Sequence, residues 1–70
     1  GHLLLAQAYA ANKEWEKAFI EYDRALFIMQ GYLKKVKNDQ VRPFYQNYIN
    51  EIYAGMRYSY QRLKGAADAP

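Results

Sequence analysis

The sequence of 70 residues contains no cysteine, one histidine and two prolines. Without cysteine the chain has no disulfide framework and no thiolate metal site. The single histidine, His2, has no neighbouring ligand set that would complete a metal site. The longest apolar run near the N-terminus, Leu3 to Ala6, is far shorter than the roughly 18 residues that indicate a membrane-spanning helix. We therefore predict no cofactor, no metal and no membrane insertion.

Sequence signatures of catalysis are also missing. There is no glycine-rich phosphate loop, no Ser/His/Asp set and no HExxH motif. The acidic side chains of residues 14–23 are interleaved with Lys13, Lys17 and Arg24, a pattern typical of an ion-paired, solvent-facing helix surface; they are Glu14, Glu16, Glu21 and Asp23. The chain is thus predicted to have no enzymatic activity of its own, and no catalytic residue is assigned.

The residues that are present favour helices. Hydrophobic residues make up 51% of the chain and charged residues 24%, which is the composition of an ordinary globular domain. Apolar residues recur at helical spacing in three segments, so we predict an all-α, antiparallel three-helix bundle with helices at about 2–11, 14–37 and 41–64. Asn12 is expected to adopt the left-handed conformation that ends the first helix, and Asp39 to cap the third.

The ends of the chain are predicted to lie outside the domain. Gly1-His2 has the pattern of a remnant left after protease removal of a tag, and residues 3–64 form the predicted domain. Gly65 is a candidate C-cap, after which residues 65–70 read as the start of a linker.

Two long arcs of apolar residues define the expected core. On the second helix the arc contains Trp15, Ala18, Phe19, Tyr22, Ala25, Leu26, Met29, Tyr32, Leu33 and Val36. On the third helix it contains Phe44, Tyr45, Tyr48, Ile49, Ile52, Met56, Ser59, Tyr60 and Leu63.

Three apolar or aromatic residues fall outside these arcs and are candidate partner-binding residues. Ile20 and Phe27 lie seven residues apart on the charged side of the second helix, and Tyr58 lies in the polar arc of the third. Isolated exposed apolar residues are common on protein surfaces. The spacing of Ile20 and Phe27 also fits a surface that docks an apolar partner.

The positive charge is concentrated in the second half of the chain. The formal net charge is +3, and residues 34–64 carry seven basic and two acidic side chains. Such a surface attracts acidic protein tails, phosphate or anionic lipid, although a solvated helix face gives the same pattern. Nucleic acid is not predicted as a partner, because basic and exposed aromatic residues are not interleaved. The candidate residues are Lys34, Lys35, Lys37 and Arg42, with Arg57, Arg62 and Lys64 as additions.

The alternation of small and aromatic residues resembles the microtubule-interacting and trafficking (MIT) domain, a three-helix bundle of about this length. The residues that carry the resemblance are Tyr9, Trp15, Ala18, Tyr22, Ala25 and Leu26. The segment from Ala6 to Val36 is most similar, without gaps, to the N-terminal domains of katanin catalytic subunits, which belong to the microtubule-severing AAA ATPases.

This resemblance implies a cytoplasmic, cytoskeleton-associated interaction module that binds tubulin or microtubules and a regulatory subunit. Trafficking-type members of the family instead bind helical tails of endosomal sorting filament proteins beside the third helix, through small residues and a glutamate. Tyr60 and Gln61 stand at those positions here, so a bulky ring narrows the groove and a neutral amide replaces the carboxylate. A tetratricopeptide repeat has a similar helix pair, but a lone repeat cannot bury its faces.

Overall fold

Three helices make up the part of the chain that the computed structural model describes, which is residues 1–68, with side chains placed as far as Gly65. Helix α1 spans His2–Ala11, α2 spans Trp15–Lys35 and α3 spans Arg42–Asp68. No strand occurs within residues 1–68. The predicted three-helix, all-α architecture is confirmed.

A tight turn after α1 makes α1 and α2 antiparallel. The amide of Glu14 donates to the carbonyl of Tyr9 at 2.9 Å and that of Lys13 to Ala10 at 3.0 Å, which is the bonding pattern of a Schellman motif. The residue in the left-handed region is Lys13, with φ 61°, and Asn12 has φ −92°. The expectation for Asn12 was therefore wrong by one residue, because the motif places the left-handed residue after the C-cap.

The connection between α2 and α3 is also built differently from the prediction. Helix α3 begins at Arg42, so Asp39 is too far upstream to cap it. Asn38 instead forms the turn, with its side-chain oxygen accepting from the amide of Gln40 at 2.9 Å. Pro43 has no amide hydrogen to be capped and occupies the first turn, where that loss is harmless.

Helix α2 is the central element, since it packs against both other helices while α1 and α3 make little contact with each other. Small residues allow the helices to approach one another closely, and Ala6 of α1 and Ala18 of α2 are fully buried. Among the described residues the buried apolar core consists of Ala6, Ala18, Tyr22, Ala25, Leu26, Ile49 and Ile52.

Several aromatic residues of the predicted core arcs are in fact exposed. Tyr32 is 54% exposed, Phe44 70% and Tyr48 50%. Helix α1 has ten residues against 21 in α2, so it covers only about half the length of α2. Tyr32 and Phe44 lie on turns of α2 and α3 that the described α1 does not cover, whereas Tyr48 lines an open cavity together with Leu3 and Leu4 of α1. Tyr60, predicted in the core arc of α3, is also exposed, and its ring packs against that of Phe19.

Helix α3 continues past the predicted C-cap. Gly65 lies inside the helix, which is described as far as Asp68, and no described glycine has positive φ. Ala66 and Ala67 are strong helix formers, which accounts for the extension. Of the predicted linker, Ala69 and Pro70 lie outside the described residues.

Candidate interaction surfaces

The first candidate surface is the outer ridge of α2, formed by Ile20 and Phe27. Phe27 is 80% exposed and Ile20 45%. They lie two helical turns apart, about 10 Å along the axis. Phe27 borders a shallow depression of about 310 Å³ that is also lined by His2, Asp23, Arg24 and Ile28. Neither residue belongs to the buried core.

Tyr58, the third predicted partner-binding residue, lies elsewhere. Its ring meets that of Trp15 edge-on, with centroids 5.5 Å apart. Its hydroxyl accepts a hydrogen bond of 2.9 Å from Arg62. Tyr58 therefore joins the end of α3 to the start of α2 and remains about half exposed. The structure does not bring it together with Ile20 and Phe27.

The second candidate surface is the basic end, which we define as Lys34, Lys35, Lys37 and Arg42. It lies at the connection of α2 and α3, and all four residues are exposed. Within the described residues the three lysines form no ion pair, and Arg42 has a loose one, 3.7 Å from Nε to Asp39 Oδ1.

Charge is distributed very unevenly along this elongated molecule of 50 × 19 × 15 Å. Residues 34–42 carry four basic side chains and one acidic side chain, while the rest of the sequence has six of each. The whole formal net charge of +3 therefore belongs to one end of the bundle.

The other three predicted basic residues do not extend this surface. Arg62 lies 20 residues after Arg42 on α3, which is about 30 Å along the helix axis. That distance exceeds the Debye length of about 8 Å at physiological ionic strength. Arg62 also lies against Tyr58. Arg57, Arg62 and Lys64 thus occupy the far half of α3, separate from the basic end.

A third surface is the α1–α3 groove, which sequence reasoning did not identify. It has a volume of about 510 Å³, and its floor contains Ala25 and Met29 of α2. Its apolar walls are formed by Leu3, Leu4, Ile28, Tyr48 and Ile52. No sequence pattern reveals it, because its lining residues come from all three helices.

Glu21 departs from the predicted solvent-facing acidic pattern, because it is 6% exposed beneath α1. Its carboxylate lies 2.6 Å from His2 Nδ1 and accepts a bond of 2.8 Å from Arg24. The hydrogen bond with His2, and after it the charge of Arg24, lowers the pKa of Glu21 against the opposing effect of burial. His2 therefore ties the start of α1 to the middle of α2.

Other types of site are not found in the described part of the chain. No group of three or more His, Asp or Glu side chains there converges on a position for a metal ion. None of the described helices has the length and apolar character that a membrane crossing requires.

Comparison with known proteins found no family model, no curated protein and no solved structure that matches this chain.

Proposed function

We propose that this chain is a non-catalytic protein interaction module of the kind attached to katanin-like, microtubule-severing AAA ATPases. The observation that supports this most is the outer ridge. Phe27 is four-fifths exposed and Ile20 nearly half exposed, so a folded chain presents two large apolar side chains on a helix whose inner face already packs the core.

An apolar partner surface, such as that of a regulatory subunit, fits the outer ridge. Burying both side chains would contribute about 3 to 5 kcal/mol before the entropy cost of association is subtracted. Asp23 and Arg24 lie between the two apolar residues along α2, so a partner must also offer polar groups to these two side chains.

Replacing the apolar ridge by carboxylates tests this surface. In Ile20→Asp and Phe27→Asp the fold should persist, because neither side chain is in the core. Affinity for a katanin regulatory subunit, measured by calorimetry, should fall at least about tenfold.

The control is Phe44→Asp, since Phe44 is also largely exposed, at 70%, but lies on α3. Its binding should match wild type. If all three variants bind equally well while remaining folded, the outer ridge is not the docking surface.

The basic end is the proposed contact with tubulin. The C-terminal tails of tubulin are acidic, and a contact with the basic end would be weak and strongly dependent on salt. Arg57, Arg62 and Lys64 are about 22 to 33 Å from Arg42 by helix geometry, so in this proposal they contribute little to the same contact. The module would accordingly reside in the cytoplasm with the cytoskeleton and would catalyse nothing itself.

An alternative function is an adaptor that binds helical tails of endosomal sorting filament proteins. The α1–α3 groove favours it, because apolar grooves of this kind accept amphipathic helices. Against tail binding between α2 and α3, the ring of Tyr60 packs against Phe19 with centroids 6.4 Å apart, and Gln61 has no charge to offer an arginine. Titration with such a tail, followed by amide chemical shifts, should perturb Leu4 and Tyr48 if this alternative is right.

A further inference from the structure

The basic end contains a shallow cleft as well as charge. The end cleft has a volume of about 470 Å³ and is lined by Leu33, Asp39, Arg42, Pro43, Gln46 and Asn47. Leu33 is half-buried at the side of the core and gives the cleft an apolar floor. Lys34 follows Leu33 on α2, and Lys37 lies in the connection that leads to Asp39.

We propose that the end cleft binds an acidic peptide through both charge and one apolar side chain. The apolar side chain packs against Leu33 and Pro43, while neighbouring carboxylates pair with Arg42 and the lysines. This assignment rests on the proposed contact of the basic end with acidic tails and specifies what those tails must contain. Charge alone would select any polyanion, whereas the cleft selects an acidic sequence that carries an apolar residue.

The excess of charge is the reason to expect an acidic occupant. Three uncompensated positive charges lie within nine residues, and nothing in the described structure neutralises the three lysines. An apolar peptide without carboxylates would leave this excess unpaired. A flat anionic surface would contact the lysines but could not place a side chain against Leu33.

Asp39 already occupies part of the site. Its side chain is 96% exposed and lies 3.7 Å from Arg42 Nε. An incoming carboxylate must compete with it for the guanidinium and is repelled by its charge. Asp39 therefore acts as a built-in competitor, and removing its charge should strengthen binding.

The test measures binding of the 70-residue chain to two synthetic peptides by calorimetry and methyl NMR. Both peptides are rich in glutamate, one with a central phenylalanine and the other with serine in its place. The phenylalanine peptide should bind several-fold more tightly and should alone shift the methyl signals of Leu33. The serine peptide should lose most of its binding as salt is added, because only charge holds it.

Asp39→Asn supplies the decisive variant and Glu51→Gln its matched control. Each change removes one negative charge from an exposed side chain of the same basic protein. Glu51 lies outside the end cleft, on the wall of the α1–α3 groove. We expect Asp39→Asn to strengthen binding of the phenylalanine peptide about threefold at low salt, and Glu51→Gln to change it much less.

Three results would overturn the assignment. Equal gains in Asp39→Asn and Glu51→Gln would show that only net charge matters. Equal affinity for the two peptides, with no shift at Leu33, would remove the apolar contact. Binding to phosphatidylserine vesicles in preference to either peptide would assign the basic end to a membrane surface. Failure of the chain to bind microtubules, with peptide binding intact, would instead reject the proposed function alone.

Discussion

A methyl group at Gly55 would occupy space that the ring of Tyr22 already fills. A Cβ built on Gly55 overlaps the ring carbons and hydroxyl of Tyr22, whose side chain is almost fully buried. By contrast, a Cβ on Gly31 meets nothing within 4 Å. Gly55 and Gly31 therefore have opposite reasons for being present, close packing at Gly55 and simple tolerance at Gly31.

Gly55→Ala should lower the free energy of unfolding by about 1 to 3 kcal/mol, because overpacking outweighs the gain in helix propensity. Gly31→Ala should raise it by up to about 1 kcal/mol, since only the propensity term applies. Urea denaturation followed by circular dichroism measures both. A stabilising effect at Gly55 would mean that the ring of Tyr22 is not held against α3.

Glu21 should make stability depend on pH in the acid range. Because its pKa is lowered in the folded chain by His2 and Arg24, its contribution is complete above the ordinary glutamate pKa of about 4.3 and is lost as pH falls through the lower folded value. At pH 7 wild type should therefore be more stable than Glu21→Gln, and the difference should shrink below pH 4.3. Thermal unfolding at several pH values measures it, and a difference that is independent of pH would contradict the ionic pairing.

At the scale of the helices, the periodicity of apolar residues predicted the three helices. It could not predict how much of each helix is covered by its neighbours. The inner arc of α2 was correct where it faces both neighbours, at Ala18, Tyr22, Ala25 and Leu26. It failed at the exposed Tyr32, because the periodicity of α2 contains no information on which of its turns another helix covers. Glu21 was missed for a related reason, since a carboxylate in a charged segment gives no sign that α1 lies over it.

Lys13 carries a conformational cost that can be removed. A non-glycine residue in the left-handed region costs about 1 kcal/mol, and Lys13 has φ 61° in the turn that joins α1 to α2. Lys13→Gly should raise the free energy of unfolding by about 0.5 to 1 kcal/mol, whereas Asn12→Gly, at φ −92°, should bring no gain. Chemical denaturation of the two variants distinguishes them, and equal effects would place the Schellman turn elsewhere.

At the scale of the whole molecule, the sequence predicted the positions of the basic side chains only in part. The sequence indicated a basic second half, but α3 is long enough to separate that half into two groups. Lys34, Lys35, Lys37 and Arg42 share one end, while Arg62 lies about 30 Å from it. The separation of the two groups follows from the length of α3 and cannot be read from composition.

Co-sedimentation with microtubules tests the proposed role of the basic end most directly. Wild type should bind weakly, and binding should fall steeply with salt and after protease removal of the tubulin tails. Replacing Lys34, Lys35 and Lys37 by glutamine should abolish it, while the same change at Arg57, Arg62 and Lys64, with an equal loss of charge, should largely preserve it. Binding that is indifferent to salt and to the tails, or that is lost equally in both triple variants, would contradict the assignment of the basic end to microtubules.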